Sequence, residues 1–253
     1  MNCRIVCLVH DLDSLRQLHH AWTLEQEISR LNVFDLVIVH NEQMMALLTA
    51  RGLKTKMSCL ELFDYLVPDK IQEIISSSVQ HRVTCSGLRK HIVFAGNLSK
   101  SGFVDALRNL PALHFNLYGR DFKGPATEQL QWAGIFDADE LPAKIAGDFG
   151  LIWDGDDLDK CSGQLGNYLK YNNPHKASLY LLAQLPLLAP KDTAIGNFID
   201  KHKIGLTVNS LYELPDLIAH LNEASYQNMK ANIVEISAKI AAGGFLKKQV
   251  ELL

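Results

Sequence analysis

Eight short apolar runs punctuate the chain, and longer stretches of helical period separate them. They are RIVCLVH (4–10), DLVIVHN (35–41), KMSCLELF (56–63), HIVFAGN (91–97), HFNLYG (114–119), FGLIWDG (149–155), LPLLAP (185–190) and IGLTVNS (204–210). Each has the length of a buried strand, and most end in Gly, Asn, Asp or His, residue types suited to turns. Strands alternating with helices predict an α/β protein with parallel sheets. Among the intervening segments, TAIGNFIDKHK puts Ile195, Phe198 and Ile199 on one helical face. The proline of LYELPDLIAHL marks a helix beginning near Glu213, and the tail from Tyr226 to Leu253 reads as a long helix interrupted at Gly243–Gly244.

The pattern breaks once. Between Ser76 and Lys90 the period is lost and Ser, Gly and basic residues accumulate, which places a linker over 76–90. The chain then divides into a lobe over 1–75, a second lobe over 91–225 and a C-terminal helical segment over 226–253. Five strands and four helices make the second lobe a complete doubly wound unit. Three strands leave the first lobe incomplete, with an exposed sheet edge that a second copy of the chain could cover.

Composition narrows the possibilities. Lys and Arg number 25 against 28 Asp and Glu, a formal charge of −3, so nothing global favours nucleic acid or an anionic membrane. The five cysteines are odd in number and contain no CxxC pair, which suits reduced thiols in a cytoplasmic protein. No apolar run reaches the roughly 18 residues of a membrane span, and no cationic segment precedes a long apolar one at the N-terminus.

Ligands of doubly wound sheets bind beyond the carboxyl ends of the strands, so the residues following strands are the candidates for chemistry. In AGNLSKSG (95–102), Gly96 permits close backbone approach, Ser99 could cap a helix and Lys100 would meet an anion there; an ordinary strand-to-helix turn is the alternative. Arg120 in YGRD could fork onto a phosphate or pair with a nearby acid. WDGDDLDKCSGQLGNY (153–168) carries four aspartates within six residues but lacks a calcium-loop spacing, and a solvated loop is favoured. In YNNPHKASLYLLAQLPLLAP, Asn173 is the natural N-cap before Pro174, and His175 and Lys176 fall in the first turn. A cation there opposes the helix dipole, a conflict an anionic ligand would remove; an incidental placement is the alternative. HDLDSLR (10–16) offers His10 and Asp11 as general bases, or simply a capping turn.

Taken together, HDLDSLR, VIVHNEQM, LFDYL, VFAGNLSKSGF, LIWDGD and YNNPHKASLYLLAQLPLL resemble bacterial GT-B glycosyltransferases, specifically the β-1,6-galactofuranosyltransferases of polysaccharide assembly and the glucosyltransferases of serine-rich adhesins. The resemblance implies two Rossmann-like lobes. A UDP-sugar would bind mainly on the second lobe, and a glycan or glycopeptide acceptor would lie in the cleft. By motif, Gly96, Asn97, Ser99, Lys100 and Arg120 would border the diphosphate. Asn173, His175 and Lys176 would hold phosphate or sugar oxygens, Asp154 would contact the donor and Tyr180 would wall the site. Asp11 or His10 would be the base. No metal or cofactor is implied, because helix dipole and basic side chains can stabilise the departing diphosphate.

Two departures stand against this pattern. Family members carry more sequence before the HDLDSLR block, and Gln184 stands where a small residue, usually Gly, precedes Leu-Pro. The first leaves an alternative open, a donor-binding but inactive subunit that serves a full-length transferase.

Overall fold

The computed structural model describes residues 3–16, 22–75, 90–110 and 112–251. All eight apolar runs form strands, every one in a parallel sheet. The first lobe holds β1 (Val6–Leu8), β2 (Leu36–Val39) and β3 (Met57–Cys59), in the order β1-β2-β3. The second holds β4 (His91–Ala95), β5 (His114–Tyr118), β6 (Leu130–Gly134), β7 (Phe149–Leu151), β8 (Leu187–Pro190) and β9 (Gly205–Val208), in the order β6-β5-β4-β7-β8-β9. The strand missing from the sequence reading is β6. It lies at the sheet edge, only Leu130 of its five residues is buried, and so its sequence LQWAG carries no apolar run. Most of the expected linker, 76–89, lies outside the described residues.

Strand order reverses between β4 and β7. In an open parallel sheet such a switch point leaves a crevice beyond the carboxyl ends, because the connections leave toward opposite faces. The two faces of this sheet bury separate clusters. One gathers Phe94, Phe103, Leu107, Phe115 and Trp153 with Leu211 and Leu214. The other runs under the His175–Leu182 helix and continues into the first lobe, joining Ile38, Leu60, Leu62 and Phe63 to Leu179, Ile195, Phe198, Ile233 and Ile240. The two lobes therefore share a core.

The C-terminal segment reinforces this union. Helix Glu223–Ala241 packs along helix His175–Leu182 and ends against the first lobe, where Tyr65 N–H donates to the Ile240 carbonyl at 3.3 Å. Gly243 takes a left-handed φ of 71° and turns the chain into helix Gly244–Val250. The Asp64 carboxylate accepts from Phe245 N (3.0 Å) and Leu246 N (2.8 Å) at that helix start, where negative charge suits the exposed N–H groups. No described helix is long and apolar enough to cross a membrane.

Candidate active site

The crevice begins at the ends of β4 and β5. Gly96 follows β4 and Gly119 follows β5 with φ of 135°; a Cβ on Gly119 would stand 1.8 Å from the Gly96 carbonyl oxygen. Only glycine allows the two strand ends so close. Beside them opens a cavity of about 430 Å³ lined by Gly96, Asn97, Tyr118, Gly119, Arg120, Ile135, Phe136 and Leu141. Asn97, rather than Ser99, is the cap here. Its Oδ1 accepts from Ser99 N at 3.1 Å and from Ser99 Oγ at 2.8 Å, because the chain turns into a short 3-10 helix, Leu98–Lys100, one residue pair earlier than a cap at Ser99 requires. Lys100 and Arg120 are exposed.

Across the switch point, β7 leads into Trp153 and Asp154, and the His175–Leu182 helix starts alongside. Its N-cap is Pro174, with no side-chain cap hydrogen bond, so protein side chains leave the first-turn N–H groups uncapped. Lys176 Nζ lies 3.9 Å from Asp154 Oδ1 and 4.5 Å from the Phe94 ring centroid. Burial raises the Asp154 carboxyl, and Lys176 and Arg16 pull it back. The remaining aspartates do not converge: Asp157 instead gives its carbonyl to Trp153 Nε1 at 2.8 Å. Among the described residues no three His, Cys, Asp or Glu side chains are placed to share a metal ion.

Two expected site residues turn out to be structural. Tyr180 is wholly buried beneath the sheet, and its hydroxyl accepts from Ala95 N at 2.7 Å; it supports the end of β4 from below instead of walling the crevice. Asn173 is 2% exposed and is not the helix cap. Its Oδ1 accepts from Asn41 Nδ2 at 3.1 Å, its Nδ2 donates to the Glu61 carbonyl, and its backbone N–H donates to His40 Nδ1 at 3.1 Å. All three partners belong to the first lobe, so this residue stitches the lobes together.

His40 completes the seam. It is 2% exposed, and its Nε2 faces the carbonyl oxygens of Val9 (3.1 Å) and His10 (3.0 Å) while its Nδ1 accepts from Asn173 N–H. These partners require a neutral ring protonated on Nε2. Burial depresses its pKa to about 4.

The backbone carbonyl of His10 is thus tethered, and its side chain reaches the cleft. There it meets the second lobe: the His10 and His175 ring centroids are 5.7 Å apart and nearly parallel, at 12°. Phe63 stacks on both, at 5.1 Å from His10 and 4.0 Å from His175. Asp11 is paired with Arg16 through its carboxylate, which leaves His10 the better placed base. Burial and the neighbouring His10 both lower the His175 pKa, and Asp11 opposes them. Sequence reasoning missed Phe63, His40, Ile135 and Phe136. Phe63 sits four residues beyond β3, where the rule of looking after strands could have found it; Ile135 and Phe136 follow the unrecognised β6.

The cleft therefore sets an imidazole of one lobe against a lysine and an uncapped helix start of the other, with a cavity of nucleoside size alongside. The chain matches the family models described as "Glucosyltransferase 3-like, C-terminal domain" over residues 92–252 and "Glucosyltransferase 3-like, N-terminal domain" over residues 1–62. It is 35% identical to the beta-1,6-galactofuranosyltransferase WbbI of Escherichia coli (strain K12), over 98% of this chain and 70% of that protein. It is 22% identical to glucosyltransferase 3 of Streptococcus gordonii, again over 98% and 70%. The fold matches sucrose-phosphate synthase from Thermosynechococcus elongatus with a TM-score of 0.60 at 15% identity, covering 100% of this chain and 69% of the other. With its two parallel-sheet lobes in the GT-B arrangement, the chain belongs to the glucosyltransferase 3-like family of glycosyltransferases.

Proposed function

We propose that the protein transfers a hexosyl group from a UDP-sugar to a hydroxyl of a saccharide or glycopeptide acceptor. The observation that carries this reading is Lys176, half-buried at an uncapped helix start with, among the described residues, only the weakened Asp154 carboxylate, 3.9 Å away, as counterion. An anion is the ligand that satisfies such a site. The diphosphate lies against Lys176 and the first-turn N–H groups, and the nucleoside occupies the cavity beside Gly96, Arg120 and Phe136. As the acceptor oxygen bonds to the anomeric carbon, the carbon–diphosphate bond breaks. The hydroxyl proton passes to His10, and the electron pair leaves with the diphosphate. The name of the 35% identical relative supports galactofuranose as the transferred hexose. The four described cysteines are all free thiols, which supports work in the cytoplasm.

Titration calorimetry with UDP, with and without magnesium, tests the donor site. Losing a charge-assisted contact worth about 2 kcal/mol, Lys176→Ala weakens UDP binding roughly thirtyfold. Binding is expected to be indifferent to magnesium. Unchanged affinity in the variant, or no binding by the wild type, overturns the assignment. Turnover of a UDP-hexose on a saccharide acceptor then separates a transferase from a binding subunit.

A further inference from the structure

The transfer chemistry above uses His10 but not the ring contacts that surround it. His10 and His175 come from different lobes, both are exposed, and against both of them packs Phe63, which is 5% exposed. Its ring makes a 20° stack with His175 and a 26° stack with His10. Several contacts fix that ring in place. His40 meets it edge-on at 4.9 Å and 89°, and the Phe63 carbonyl accepts from Ser178 Oγ of the second lobe. Leu62 and Leu60 bury the same loop in the core shared by the lobes. Among the described residues neither His10 nor His175 has a side-chain hydrogen bond; each is oriented by Phe63 and by the other imidazole.

We propose that Phe63 is a positioning residue: its buried ring holds the imidazoles of His10 and His175 at a fixed separation, as a coupled pair in which a proton on one is felt by the other. The proposal rests on the transferase reading for its role and on geometry alone for the coupling. Two imidazoles 5.7 Å apart resist carrying two charges at once, since like charges within about 4–6 Å disfavour one another. The groups facing the pair are Asp11, held by Arg16; His40, kept neutral by burial; and Lys176, one residue along the helix from His175, with Asp154 beside it. None of these intervenes between the two rings. When His10 takes the acceptor proton, His175 is held neutral at the donor side, so the single positive charge gained sits on the acceptor lobe and Lys176 remains the cation facing the diphosphate. The pair thus ties the state of the base to the state of the donor site.

Imidazole titrations followed by NMR decide the coupling without donor, acceptor or turnover. In the otherwise wild-type protein, His10→Gln raises the pKa of His175, because a charge that opposed its protonation is gone. In a Phe63→Leu background the same change leaves His175 unmoved. Steady-state kinetics supply the second readout: Phe63→Leu lowers kcat on the order of tenfold, while the donor KM stays within about twofold. Phe63→Tyr keeps the ring and retains both the coupling and kcat. A His175 titration that ignores His10→Gln, or one that responds equally with leucine at 63, overturns the proposal, whether or not the transferase reading survives. Should Phe63→Leu fail to fold, the His10→Gln titration and the Phe63→Tyr kinetics decide it alone.

Discussion

Asn173 separates a ligand residue from a seam residue more sharply than any other position. Asn173→Ala removes the donor to the Glu61 carbonyl and the acceptor of one Asn41 Nδ2 hydrogen, in a place that is 2% exposed. The two losses are unequal. Asn41 Nδ2 keeps the Tyr171 carbonyl at 2.8 Å, so it forfeits one of two bonds, whereas the Glu61 carbonyl loses the Asn173 side-chain donor that reaches it from the other lobe. An orphaned buried group costs about 1–3 kcal/mol and a lost neutral bond about 1, so the variant is expected to lose about 2–3 kcal/mol of stability. Asn173→Asp fares no better, since its carboxylate would face the Glu61 carbonyl without a proton to offer. Urea unfolding followed by tryptophan fluorescence measures the loss, and calorimetry measures UDP affinity in the same samples. The expected outcome is a lowered midpoint with UDP affinity within about threefold of wild type. A variant as stable as the parent that no longer binds UDP would show that Asn173 serves the donor and that the seam has been misread.

Two further positions give independent checks. His40 is held neutral with a pKa of about 4 in the folded chain against 6.5 unfolded, so the unfolded state binds the extra proton between these values. Its contribution is present above pH 6.5 and lost as pH falls toward 4, on the order of 3 kcal/mol in urea unfolding free energy; a His40→Asn protein lacking this component between pH 7 and 4.5 is the expected control, and identical pH slopes would refute it. Gln184, at the end of helix His175–Leu182, sits at φ 59°, a left-handed position where a side chain is strained. Gln184→Gly therefore stabilises by about 0.5–1 kcal/mol in thermal or urea unfolding, and a loss of stability would mean that the glutamine side chain holds something there.

Much of the fold was legible in the sequence because buried parallel strands write themselves as apolar runs. β2 is buried at all four residues and β8 likewise, and both were read without ambiguity. The edge strand β6 was not, since Gln131, Trp132 and Ala133 are all exposed, on both faces, and the period carries no core signal. The helix interruption at Gly243–Gly244 was visible because a left-handed turn needs a residue without a Cβ. That the following helix returns to the first lobe was not, because the Asp64 cap is separated from it by about 180 residues of chain.

The site divides along the same line. Residues whose role is set by local backbone, such as Gly96, Arg120, Lys176 and His10, fall where strand ends and helix starts put them, around the switch point. Residues misjudged were those whose role depends on the other lobe. Asn173 has the composition of a helix cap, but a cap is needed only if nothing better competes for the amide, and Asn41, Glu61 and His40 all compete. Tyr180 occupies the second turn of a helix whose start faces the cleft, yet one turn rotates it toward β4, where Ala95 N–H requires an acceptor. A short motif specifies which groups are available; the opposing lobe decides which remain free. That is why the lysine, flanked by one weakened carboxylate, remains available at the crevice, while the amide three residues before it is taken up by the seam between the lobes.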